Sequence, residues 1–127
     1  MADTPVSVLI VDDQAPFRSA ARAVVAMTPG FEVAAEAATG EEALALVESA
    51  PPDLVLMDIN MPGINGIEAA RQITAAHPRT AVILLSTYAA DELPADARTC
   101  GAATYVNKEE FGPDVLRHLW SEHGPTT

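Results

Sequence analysis

A chain of 127 residues has the size of one domain and is long enough to bury a single core. Its net charge of -11 argues against unaided binding to nucleic acid, which needs Lys and Arg at the phosphates, and suits instead a cation site and partners with basic patches. The lone Cys100 excludes an internal disulfide, and with neither a membrane-length apolar run nor a signal-peptide pattern the expectation is a soluble, cytoplasmic protein.

Strand and helix patterns alternate along the chain. The apolar run Val8, Leu9, Ile10 and Val11 marks a strand over 7–11 that ends on Asp12 and Asp13. A helix over about 16–27 follows, with Phe17, Ala20, Ala21, Val24 and Val25 on one face, and Thr28-Pro29-Gly30 stops it. A second strand covers 31–35. Thr39 is then placed to cap a helix running to about Ser49, with Glu41 and Glu42 in its first turn and Ala43, Leu46, Val47 and Ala50 at helical spacing. Pro51-Pro52 closes that segment.

The third strand, 54–58, ends on Asp58, and a helix over about 66–76 turns Ile67, Ala70 and Ile73 inward. The run at 81–86 is nearly all apolar up to Ser86, which predicts a central strand buried on both faces. A weaker helix is expected over about 91–99, where Pro94 is tolerable only in the first turn. A short fifth strand covers 104–107, and a last helix over about 113–121 buries Val115, Leu116 and Leu119 with Trp120. Five strands alternating with five helices predict an α/β fold, a doubly wound five-stranded parallel sheet.

Four of the five strands end on groups that can do chemistry: Asp12-Asp13, Asp58, Ser86 and Asn107-Lys108. In a parallel sheet these ends share one edge, where ligands gather. Three clustered carboxylates repel one another unless a cation offsets the charge, and hard cations prefer oxygen ligands. Lys108 is the only lysine among seven basic residues, a compact point charge in a chain that otherwise uses Arg. The set suits phosphoryl transfer to a carboxylate. Asp58 would be the nucleophile, Asp13 and Asp58 direct Mg2+ ligands, Asp12 an outer one, and the Asn60 carbonyl a further oxygen. Lys108 would balance a phosphoryl oxygen, and the Ser86 hydroxyl would donate to the group once bound.

The segments Val8-Leu9-Ile10-Val11-Asp12-Asp13, Leu56-Met57-Asp58-Ile59-Asn60-Met61-Pro62-Gly63, Leu84-Leu85-Ser86 and Tyr105-Val106-Asn107-Lys108 resemble the motifs of receiver domains of two-component response regulators, in order and spacing over essentially the whole chain. The resemblance implies the (βα)5 flavodoxin-like fold, with a phosphoryl group passing from a sensor histidine kinase or phosphotransfer protein to Asp58. It implies Mg2+, with Mn2+ as an alternative, on Asp12, Asp13, Asp58 and the Asn60 backbone carbonyl. Ser86 would be the switch hydroxyl, Lys108 the phosphate-binding lysine, and Tyr105 the rotating aromatic. The domain would catalyse only its own phosphorylation and dephosphorylation, without touching nucleic acid or membrane itself. Its output surface would be the fourth helix, fifth strand and fifth helix, which also offers a homodimer face.

The sequence departs from the family pattern in three ways. Glu109 follows Lys108 where many members carry a cis proline, so a trans bond is expected. Thr87 follows Ser86 where Ala or Gly is usual, narrowing access to Asp58, and Asn60 and Tyr88 occupy variable flanking places. The expectation is one receiver domain over 1–127, structured over about 5–122 and lacking an output domain. It would act in transcription regulation through an attached or missing DNA-binding domain, or as a stand-alone signalling receiver. A haloacid-dehalogenase-like phosphatase is the remote alternative, disfavoured because that family carries Asp-x-Asp where this chain has adjacent Asp12-Asp13. A flavodoxin-like FMN carrier would need a phosphate-cradling loop, which Gln14-Ala15-Pro16 does not provide.

Overall fold

The computed structural model describes residues 4–87 and 92–124. Five strands form one parallel sheet: β1 Val6–Val11, β2 Phe31–Ala37, β3 Leu54–Asp58, β4 Ala81–Ser86 and β5 Thr104–Asn107, in the order β2-β1-β3-β4-β5. Four α-helices are described: α1 Ala15–Ala26, α2 Gly40–Ser49, α3 Gly66–Ala76 and α4 Pro113–His123. This strand order is that of the flavodoxin-like doubly wound fold, and it reverses direction between β1 and β3.

Strand alternation sorts the core into two layers. Leu9, Val11, Val55, Met57, Val82 and Leu84 face α2 and α3, where Ala43, Val47, Ile67 and Ile73 meet them. Val8, Ile10, Leu54, Leu56, Ile83 and Leu85 face α1 and α4, packing on Ala21, Val25, Leu116 and Leu119. All of β3 is buried, as its place at the middle of the sheet requires. β4 is an interior strand between β3 and β5, and it is buried on both faces as expected, with Val82 and Leu84 in one core layer and Ile83 and Leu85 in the other.

Local signals set the helix ends. The Thr39 hydroxyl accepts from the Glu42 backbone N–H at 3.0 Å, while the Glu42 carboxylate accepts from the Ala38 N–H at 2.7 Å. Asn65 caps α3 in the same way through the Glu68 N–H at 2.9 Å. Ala20 and Ala50 are exposed rather than inward, since neither lies on the narrow stripes held by Ala21–Val25 and Ala43–Val47.

The fourth crossover departs from expectation. Residue 91 lies outside the described residues, and from 92 to 99 the chain forms no α-helix; 3-10 geometry takes its place, with one turn over Ala95–Arg98. Pro94 precedes it with ψ 145°, an extended conformation, and has no N–H to give a helix. The buried Cys100 packs as a small residue beyond that turn, and Gly101 follows at φ +98°.

Candidate functional site at the carboxyl edge of the sheet

Strand register brings the predicted residues together. Val11 pairs with Met57, so Asp12 emerges beside Asp58; Asp58 pairs with Leu85, and Ser86 with Asn107, so Ser86 and Lys108 emerge next to them. The carboxylates of Asp12, Asp13 and Asp58 offer oxygens that all lie within 4.8 Å of one another, at the point where strand order reverses. Asp13, Gln14, Asp58, Asn60, Ser86, Thr87 and Lys108 line a cleft of about 190 Å3 there. Tyr88 lies outside the described residues.

Each acid has a different environment. Asp12 is fully buried; its Oδ1 accepts from the Gln14 N–H at 2.8 Å, closing the turn into α1, and its Oδ2 accepts from Lys108 Nζ at 2.5 Å. Asp13 is exposed at the mouth. Asp58 is 5 % exposed, with Oδ1 3.2 Å from Lys108 Nζ. Burial, then the neighbouring charge of Asp12, push its carboxyl up to about 6, against a smaller opposing pull from Lys108. Three carboxylates facing one ammonium leave the cluster two negative charges in excess when all are ionised. An all-oxygen, electron-rich donor set with an open side fits a hard divalent cation.

Three residues contribute to the site in ways the sequence did not reveal, although Phe17 reads as a packing residue and Gly66 as a turn or cap position. Arg18 donates to the Asp12 carbonyl at 2.6 Å, and Glu36 lies 3.7 Å from the same guanidinium, so α1 and β2 together pin the end of β1. Phe17, read as a packing residue, holds its ring 4.6 Å from the Lys108 ammonium. Gly66 lets the loop after β3 fold back: its N–H donates to the Ile59 carbonyl at 2.8 Å, and a Cβ there would lie 1.9 Å from the Asp58 carbonyl oxygen. An apolar residue or a glycine at the head of a helix has no sequence mark that separates such duties from ordinary packing.

Ser86 is buried, and Tyr105 is half-buried on the α2–α3 face with its hydroxyl donating to the Ser86 carbonyl at 3.4 Å. The Lys108–Glu109 peptide is trans, as expected without proline. Among the described residues no helix is long and apolar enough to cross a membrane.

Comparison with known proteins agrees with this geometry. Residues 8–120 match the response regulator receiver domain family. The chain is 38 % identical over 107 residues to the transcriptional regulatory protein DegU of Brevibacillus brevis, covering 84 % of this chain and 45 % of that protein. It is 32 % identical to the nitrate/nitrite response regulator NarL of Escherichia coli (strain K12), covering 91 % and 53 %. It thus spans about half the length of these curated relatives. Among solved structures, the receiver domain of the NarL-type regulator of Mycobacterium tuberculosis superposes with a TM-score of 0.86 at 26 % identity, over 94 % of this chain and 96 % of that one. A LuxR-family regulator from Aurantimonas superposes at 0.82 with 30 % identity, over 93 % and 84 %. The chain belongs to the response regulator receiver domain family of two-component signalling.

Proposed function

We propose that Asp58 is the phosphoacceptor of this receiver and that Asp12, Asp13, Asp58 and the Asn60 carbonyl hold the Mg2+, or in its place Mn2+, that the reaction requires. The observation that carries this reading is the cluster itself: three carboxylates within 4.8 Å of one another, two of them contacted by one ammonium. Bound there, a divalent ion supplies positive charge to the approaching phosphoryl oxygens.

The chain's own residues do the rest. A carboxylate oxygen of Asp58 attacks the phosphorus of a phosphohistidine on a sensor kinase or phosphotransfer protein. An O–P bond forms as the P–N bond breaks, and the imidazole leaves with the electron pair. Lys108 already reaches both Asp12 and Asp58, so a short swing carries its ammonium from Asp58 Oδ1 to a phosphoryl oxygen. Ser86, buried at the cleft wall, donates its hydroxyl to another. Thr87 lines the same cleft and narrows the approach.

Phosphorylation adds charge and strong acceptor oxygens. Movement of Ser86 takes the carbonyl that Tyr105 contacts with it, so the change spreads to β5, the turn at Ala95–Arg98 and α4. A domain over about 5–122 whose output lies on that surface suits control of an attached DNA-binding domain or a second copy, in line with DegU and NarL, which are regulatory proteins about twice as long. The test is intact-mass measurement after incubation with acetyl phosphate and Mg2+. One phosphoryl group is expected on the wild type, and none on Asp58→Asn or after chelation of the metal. A mass gain that survives Asp58→Asn moves the acceptor elsewhere and ends this reading.

A further inference from the structure

The first turn of α1 carries an aromatic ring beside the ammonium that contacts the site's carboxylates. Lys108 Nζ sits 4.6 Å from the centroid of the Phe17 ring, 2.5 Å from Asp12 Oδ2 and 3.2 Å from Asp58 Oδ1. The lysine side chain is 11 % exposed, and Phe17 packs on the layer of core that also holds Val106. The ammonium is therefore held by two carboxylates and an aromatic ring.

We propose that Phe17 is a positioning residue for phosphoryl transfer: its ring holds the Lys108 ammonium in place while leaving it free to change hydrogen-bond partners. This rests on the reading of Asp58 as phosphoacceptor. A lysine has a flexible four-carbon stem, and holding its head at one point costs rotamer entropy. A carboxylate holds it with a directional, charge-assisted bond that has to be given up when the ammonium moves to a phosphoryl oxygen. A ring attracts the cation through its quadrupole, which is broad in direction and takes up none of the N–H groups. The ammonium thus leaves Asp58 Oδ1 without leaving its support. The ring also shields the side of the cation away from the cleft from water, which strengthens its pull on an incoming anion.

Packing alone would ask less of this position. An aliphatic side chain would satisfy a half-buried place on the α1–α4 layer, as Val24 does two turns further along the same helix. What distinguishes Phe17 is that the face of its ring is turned to a charge.

Two measurements on the 127-residue chain decide the matter. The first is a double-mutant cycle of Phe17→Leu and Lys108→Met, read by chemical denaturation without phosphodonor. A coupling of about fivefold in the unfolding equilibrium constant is expected from a desolvated ring–ammonium contact. The second is the initial rate of phosphoryl uptake from acetyl phosphate with Mg2+, a donor that needs no docking partner. The rate should fall about fivefold in Phe17→Leu. It should fall comparably when Phe17 is replaced by trifluorinated phenylalanine, which keeps the shape of the ring and cancels its quadrupole, and stay near wild type in Phe17→Trp. Additive mutations in the cycle would overturn the contact. Coupling with unchanged uptake in both the leucine and the fluorinated chains would overturn the positioning role and leave Phe17 as packing. A wild type that takes up no phosphoryl group would remove the Asp58 reading, and the positioning role with it, whatever the cycle gives.

Discussion

The charge that makes Asp58 useful also makes it costly to the metal-free fold, and Asp58→Asn isolates that cost. The folded carboxyl titrates at about 6 against an ordinary value of 3.8. Each unit of such a shift corresponds to about 1.4 kcal/mol, so about two units amount to roughly 3 kcal/mol. The cleft is open on the Asp13 side, and solvent screening there reduces the figure to about 2 kcal/mol. The sign follows from the folded state holding this proton more tightly than the unfolded chain does. Below about pH 4 the group is protonated in both states and contributes no penalty; as pH rises through 4 to 6 the penalty grows, and above 6 it is complete. Asparagine has nearly the same shape, and its Oδ1 still accepts from Lys108, but it never ionises. With a chelator present, Asp58→Asn should therefore match wild type near pH 4 and exceed it by about 2 kcal/mol at pH 7. With a urea slope of about 2 kcal/mol per molar, the unfolding midpoint separates by about 1 M. Urea denaturation followed by far-UV circular dichroism at intervals from pH 4 to 7.5 reads this directly. Curves that run parallel across that range, or a variant less stable than wild type at pH 7, would refute burial and Asp12 as the source of the shift.

Two other substitutions separate the site from the scaffold. Gly66→Ala places a Cβ 1.9 Å from the Asp58 carbonyl oxygen and 2.8 Å from its carbon, both backbone atoms, so β3 or the loop after it has to move. We expect a loss of at least about 2 kcal/mol by denaturation, together with slower phosphoryl uptake by intact mass. Thr39→Ala removes the oxygen that caps α2 at its distance of 3.0 Å from the Glu42 nitrogen. Stability should fall by about 1 kcal/mol while the rate of uptake stays at the wild-type value, because α2 contributes no residue to the cleft.

How much of this was legible beforehand depended on whether the signal was local. β3, β4, β5 and α3 occupy the predicted spans because the strands end abruptly on Asp58, Ser86 and Asn107 and because Asn65 caps the start of α3. The convergence of Asp12, Asp58, Ser86 and Lys108 was also legible, since parallel strands in register necessarily deliver their last residues to one edge. The segment after β4 was not. Its composition allows a helix, and the extended ψ of Pro94 leaves room for only one 3-10 turn before Gly101. Phe17 and Arg18 escaped for a different reason. Their contacts reach Lys108, 91 positions away, and a backbone carbonyl, and neither kind of partner leaves a pattern in the sequence around them.

The period of two in a β-strand explains why one site can address both faces of the sheet. Asp12, Asp58 and Lys108 continue the series that faces α1 and α4, and Phe17 meets the lysine on that side. Ser86 continues the Val82–Leu84 series toward α2 and α3, and Tyr105 lies on that same face. A phosphoryl group on Asp58 would therefore be gripped on one face by an ammonium seated against the Phe17 ring, and on the other by a hydroxyl next to a half-exposed aromatic. The first side is packed against α1 and held by Arg18, and it resists displacement. The second borders a cavity of about 300 Å3 lined by Leu93, Ala97 and Tyr105, where a ring has room to turn. On this reading Lys108 serves chemistry and Ser86 serves signalling, and the division follows from strand parity. Replacing Tyr105 should then change what phosphorylation does to β5 and α4 while leaving the rate of phosphoryl uptake close to wild type, whereas replacing Phe17 should do the reverse.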